Sequence, residues 1–166
     1  MAMIKRIGYG QVEPNHLSAQ RTGQIYAQLP AEASIEVLEN GQFVKYDYAN
    51  NQVNFSGEGE WMLVFNEVKL YDERLSYSDF AMIKENYVNG EMYPRVFKTN
   101  VGDIFTTNKI VAEFDGDSAV KAGDTFAPNA QGVLAAAGDD AEMIWKVVKV
   151  YTMADGEPAV KLQRIK

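Results

Sequence analysis

The residues able to do chemistry are few and scattered. His16 is the single histidine, and the chain has no cysteine. Protein zinc sites are built mainly from imidazole and thiolate, so zinc here would need an unusual set of three carboxylates. A Ser-His-Asp arrangement needs an imidazole held against a nucleophile by a rigid scaffold. His16 instead follows Pro14-Asn15 in an opening segment rich in Gly, Asn and Gln, where a solvated or interface role fits better. No G-x-S-x-G elbow and no phosphate-binding Walker loop occur. Gly8-Tyr9-Gly10 begins like a dinucleotide fingerprint, but it lacks the third glycine and a preceding strand, so it reads as a turn.

Carboxylates are plentiful. Asp115-Gly116-Asp117-Ser118 offers closely spaced oxygens that could hold Ca²⁺, but the later ligands of an EF-hand loop are missing and turn chemistry accounts for it better. Asp139, Asp140 and Glu142 invite the same reading. A glycosidase pair needs carboxylates about 5–10 Å apart across a sugar cleft, which spacing along a chain does not define. Among nine tyrosines, Tyr46, Tyr48, Tyr71 and Tyr151 could form a glycan platform. Strand and rim packing is the preferred role, because β-proteins use Tyr heavily. The expectation is a non-enzyme with no cofactor and no bound metal.

Composition bounds the partners. A net charge of −7 argues against a nucleic-acid partner. No apolar run approaches the roughly 18 residues of a membrane span, so no membrane partner is expected. The opening MAMIKRIGYG lacks the apolar centre of a secretion signal. At 166 residues with 46% hydrophobic content, the chain can build one cored domain with an appendage. The charge is uneven: residues 1–28 hold Lys5, Arg6 and Arg21 against Glu13, a net +2 that leaves −9 for the rest. An assembly could use such a basic leader on an acidic body.

The elements that must position these groups are mostly strands. In residues 101–166, GDIFTTN (102–108) recurs as GDTFAPN (123–129). In each, Gly permits positive φ, Asp bonds back to the main chain, and a β-branched residue and Phe follow on a half-buried surface. Asp115-Gly116, Gly138-Asp139-Asp140 and Asp155-Gly156 add further turns. MIWKVVKVY (143–151) carries Trp145, Val147 and Tyr151 on one face and Ile144, Val148 and Val150 on the other, which predicts a central strand. Residues 159–165 alternate as a last strand, with Val160, Leu162 and Arg164 together.

Residues 31–72 form a similar unit. A strand over 34–38 leads into the turn Glu39-Asn40-Gly41-Gln42; strands over 43–48 and 52–55 flank Asn50-Asn51, and 61–71 opens WMLVF, apolar on both faces. The two units echo one another. Val68-Lys69-Leu70-Tyr71 matches Val148-Lys149-Val150-Tyr151, each closing a strand opened by a Trp (Trp61, Trp145) and preceded by a Gly-x-(x)-Phe start. Between them, Phe80, Ile83 and Tyr87 share one helical face behind a Ser-Tyr-Ser-Asp cap, which predicts a short helix. Residues 1–30 have no sustained period and few large aliphatics, and read as an arm that orders on a partner.

The chain is therefore expected to be mainly β: a small β-barrel or sandwich of short antiparallel strands in two related units, one short helix and an extended N-terminal arm. The expected division is an arm over 1–30, a first β unit over 31–100 with the helix near 78–88, and a second unit or barrel over 101–166.

Three stretches carry a resemblance: the Gly/Asn/Gln-rich arm over 5–28; the two GD-x-F turns followed by NAQGVL (129–134); and the closing WKVVKVYTMADGEPAVKLQRI. With these the chain resembles a tailed-bacteriophage capsid decoration (cement) protein. The resemblance implies a small, acidic, β-rich virion component on the outer surface of the capsid, bridging capsomers and stabilising the shell. Its implied partners are the major capsid protein and sister copies, a trimer among them. The arm would staple the body to its neighbours through Ile4, Ile7, Tyr9, Leu17, Ile25 and Tyr26, with Arg6 and Arg21 meeting acidic groups. An alternative is a carbohydrate- or receptor-binding virion module of a head fibre or tail.

Overall fold

A computed structural model gives the fold and describes residues 8, 10–16, 28–66 and 81–166. The described residues form twelve strands: β1 (Val12–His16), β2 (Val37–Glu39), β3 (Phe43–Asp47), β4 (Gln52–Asn54), β5 (Glu58–Val64), β6 (Ala81–Ile83), β7 (Val96–Phe97), β8 (Ile104–Thr107), β9 (Thr125–Pro128), β10 (Leu134–Ala136), β11 (Trp145–Thr152) and β12 (Pro158–Arg164). The expectation of a mainly antiparallel β-protein is met.

The strands make three antiparallel sheets. The largest runs β1-β8-β12-β11-β9-β10, the second β4-β3-β5-β7, and the third is the pair β2-β6. The large sheet curls. Just past β8, Ile110 bridges to Leu134 of β10, and the Val111 N–H donates to the Leu134 carbonyl at 2.7 Å. The chain leaving one side of the sheet thus returns to the strand at its far edge, making a half-barrel.

Both GD-x-F sequences are the same turn. Gly102 and Gly123 have φ of 97° and 101°. Asp103 accepts from the Asn100 N–H at 2.9 Å and Asp124 from the Lys121 N–H at 2.8 Å. A carboxylate bonded to the backbone three residues earlier locks each turn before its strand starts. The two units also share a strand order. β3-β4-β5-β7 are arranged β4-β3-β5-β7, and β9-β10-β11-β12 are arranged β10-β9-β11-β12. In the first Phe43 faces Leu63; in the second Phe126 faces Trp145. The echoed Val68–Tyr71 lies outside the described residues.

The second sheet is buried on both faces, as the apolar WMLVF run requires. Phe43 and Leu63 point into a core lined by Phe105, Phe126, Leu134, Trp145, Val160 and Leu162 of the half-barrel. Val44, Met62 and Val64 point the other way, into a core shared with Leu38, Met82, Met92 and Val96. Phe43, Phe105 and Trp145, all fully buried, meet as a ring cluster: Phe105 and Trp145 are perpendicular at 4.7 Å, and Phe43 lies 5.9 Å from Trp145 and 6.3 Å from Phe105. One main-chain bond and one side-chain bond fasten the same junction. The Phe43 N–H donates to the Gly132 carbonyl at 2.7 Å, and Gln42 Nε2 donates to the Gln131 carbonyl at 3.1 Å.

Some expectations are corrected. Ala81–Ile83 is a strand paired with Val37–Glu39, and two 3₁₀ turns, Lys84–Asn86 and Val88–Gly90, follow it; the described residues contain no α-helix near 81–88, and 78–80 lie outside them. Pairing with β2 places Met82 in the second core, and this tertiary contact overrides the local helical spacing. In β11, a register shift between Val147 and Lys149 interrupts the alternation, so Trp145 and Val147 are buried while Val148 is 47% exposed. The strand is central, but only one of its faces is dry.

The junction can be tested by stability. Phe43→Ala removes a ring from the cluster and should cost about 3–5 kcal/mol in denaturant unfolding. Gly132→Ala should be comparably damaging, because a Cβ there would sit 1.9 Å from the Phe43 carbonyl oxygen, at a φ of 68°. A loss under about 1 kcal/mol for both would mean that the two sheets do not depend on this contact.

Candidate functional site

The anchors expected in the arm, Ile4, Arg6, Ile7, Tyr9, Leu17, Arg21, Ile25 and Tyr26, all lie outside the described residues. Of the arm over 1–30, residues 8, 10–16 and 28–30 are described, and residues 10–16 correct the expectation of an arm that orders on a partner, because they order on the chain's own body. β1 adds to the edge of the half-barrel, antiparallel to β8, with Val12 opposite Thr107, Glu13 opposite Thr106 and His16 opposite Ile104. Main-chain pairing needs no side-chain period, and β8 would otherwise be an open edge. Pro14, which has no N–H to give, falls at the irregularity between Glu13 and His16, as suits an edge strand.

Side chains from four separate places fasten this strand. The Gly10 N–H donates to Glu39 Oε1 at 3.2 Å, and Glu39, at the end of β2, also pairs with Lys109. The Gln11 N–H donates to Asn108 Oδ1 at 2.8 Å, while its side-chain amide reaches Asp155 Oδ2 at 2.6 Å. The Tyr151 hydroxyl donates to Glu13 Oε2. Val12 packs against the half-barrel core. The fit is close: a Cβ on Gly10 would lie 2.5 Å from the Asn40 carbonyl oxygen, and one on Gly41, already at φ 88°, 2.6 Å from Thr107 Oγ1. Gly8 is buried, with an added Cβ 3.6 Å from Ala81 Cβ of β6. Gly8 thus lies by β6, and residues 10–16 pass the Glu39–Gly41 turn to the edge of the half-barrel, touching elements of two sheets.

The Glu39 carboxylate is nearly dry, and a buried charge is costly unless paired and hydrogen-bonded. Here Lys109 supplies the countercharge and Gly10 a backbone donor, so the arm completes a set of partners that the body alone would leave short. Burial foremost, and then the hydrogen bond to Glu13, raise the Tyr151 hydroxyl above its ordinary value of 10.0.

Other sequence-derived candidates are dispersed. Asp115 and Asp117 lie on an exposed turn; Asp139 and Asp140 are exposed, and Glu142 pairs with Lys45 at 2.9 Å. Among the described residues no group of three or more His, Asp or Glu could hold a metal, and no helix is long and apolar enough to cross a membrane. Of the tyrosines weighed as a platform, Tyr46 is buried, Tyr48 is 69% exposed and Tyr151 serves the arm; Tyr71 is outside the described residues. Glu39, Asn108, Lys109 and Asp155 gave no sequence signal, because each is a polar residue in a turn or strand end whose partner is distant along the chain. No protein family, curated protein or solved structure matches the chain.

Tyr151→Phe should loosen the clasp by about 1 kcal/mol, the usual worth of one such hydrogen bond. The sign with pH follows from the raised hydroxyl: its contribution is complete below pH 10, the unfolded value, and is lost as pH climbs through the higher folded one. Melting curves of wild type and variant should therefore differ below pH 10 and converge only once pH exceeds the raised folded value. A pH-independent gap would show that Glu13 and Tyr151 are not coupled in solution.

Proposed function

We propose that the chain is a structural virion protein that decorates and stabilises a bacteriophage capsid, and that its N-terminal segment makes the contacts between subunits. The observation that carries this reading is the built edge at β1. The sheet ends in a strand from the N-terminal segment, fastened from behind by Glu39, Asn108, Asp155 and Tyr151, with its other edge unpaired among the described residues. An edge strand offers main-chain groups to a neighbouring chain by β-augmentation. The segments on either side of β1 carry the apolar anchors and the two arginines, opposite in charge to the acidic body. Contacts that are weak singly become strong when repeated over the many equivalent sites of a shell.

In this reading β1 positions the arm and the flanking residues engage the shell. Attachment and folding are then separable. Removal of residues 1–28 takes away β1 and should lower stability as well as attachment. Removal of residues 1–7 alone leaves the clasp in place; it should reduce co-sedimentation with heads lacking the protein by at least tenfold while the melting temperature stays within a few degrees. Arg6→Glu with Arg21→Glu should act in the same direction. Full binding by both variants would defeat the proposal.

A further inference from the structure

At the opposite end of β3 from the Gly132 junction lies a shallow groove of about 250 Å³, lined by Tyr46, Tyr48, Glu58, Glu60, Met62 and Lys98. We infer that this groove is a binding site for a neutral pyranose glycan, with the Tyr48 ring as the stacking surface. The inference stands on the groove alone and does not depend on attachment to a capsid.

The platform is rigid before any ligand arrives. Tyr48 stacks on the buried Tyr46 at 5.3 Å with the rings 16° from parallel, so one face of Tyr48 is covered and the residue is still 69% exposed. The turn after Tyr48 is locked by Asp47, whose carboxylate accepts from the Asn50 N–H at 3.2 Å and from the side chains of Asn50, Gln52 and Asn54 at 2.8, 3.2 and 3.2 Å. Those hydrogen bonds, that of the Asn50 side chain foremost, hold the Asp47 carboxyl below its ordinary range. An ordered, exposed aromatic ring binds at low entropic cost.

The rim selects the ligand class. Glu60 is held by Arg164 at 2.6 Å and lies 3.8 Å from Lys98, so its carboxylate is oriented and still one-third exposed. Glu58 is exposed, and no cation among the described residues pairs with it. Carboxylates accept from sugar hydroxyls, and the Lys98 ammonium donates to a ring or hydroxyl oxygen. Arg164 and Lys98 both face Glu60, which leaves the Glu58 carboxylate as the uncompensated charge on the rim, and this disfavours an acidic sugar. A quaternary ammonium would want aromatic faces around it; here the two rings cover each other and leave one flat outward face, which suits the C–H surface of a pyranose.

Saturation-transfer and amide-shift NMR on the full chain, with lactose, maltotriose and chitotriose as neutral probes and sialyllactose as the acidic one, test this. At least one neutral probe should give saturation transfer, with shifts confined to residues near 46–48, 58–60 and 98. Tyr48→Phe should retain the response and Tyr48→Ala should weaken it at least tenfold with an unchanged melting temperature; Tyr87→Ala, an exposed tyrosine elsewhere, should change nothing. The inference is overturned by silence from every neutral probe, by a response to sialyllactose alone, by a response that survives Tyr48→Ala, or by concentration-dependent shifts showing a second copy in the groove.

Discussion

The contact between Phe43 and the Phe105–Trp145 pair holds the molecule together. Phe43 comes from a sheet of the first unit, and its two partners come from β8 and β11 of the half-barrel, which flank β12. Burial of large rings supplies much of the available hydrophobic free energy, and edge-to-face packing adds direction to it. Because β3 sends alternate residues to opposite sides, fixing Phe43 in one core also fixes Val44 and Tyr46 in the other. The second sheet is a shared wall, and neither unit has a complete core without it. Gly132 is part of the same constraint: only a residue without Cβ lets the turn before β10 approach the Phe43 carbonyl.

Much of this was legible in the residue order. The Gly-Asp turns, the Asn-Gly turn at 40–41 and the alternation over 159–165 carry local information, and local information survives into the fold. The dry wall was visible in WMLVF, since a strand buried twice has no polar alternate positions. What failed was whatever depended on a distant partner. Phe80, Ile83 and Tyr87 have helical spacing, yet Met82 pairs with Leu38, 44 residues earlier. Val148 looked buried because nothing in VVKV announces a shift of register.

The arm is the instructive case. Its low hydrophobicity and lack of period argued that it could not bury itself, and among residues 10–16 Val12 is the one hydrophobic side chain packed against the half-barrel core. Strand addition uses the backbone, which every sequence possesses. The side chains that secure it, Glu39, Asn108, Tyr151 and Asp155, lie between 29 and 144 residues further along the chain than the arm residues they bond, so no window of sequence brings them together. The Tyr48 groove is similar: tyrosines are common in strands, and only the fold distinguishes the ring that packs from the ring that is presented.

The way β1 lies along β8 also decides how the protein bears load. Ladder bonds in an antiparallel pair stand perpendicular to the strands. Tension directed along β1 therefore strains its bonds with β8 simultaneously, whereas tension directed across it would peel them apart in succession. A tether leaving the body in line with this strand would yield late and abruptly, and one leaving at right angles would unzip under a far gentler tug.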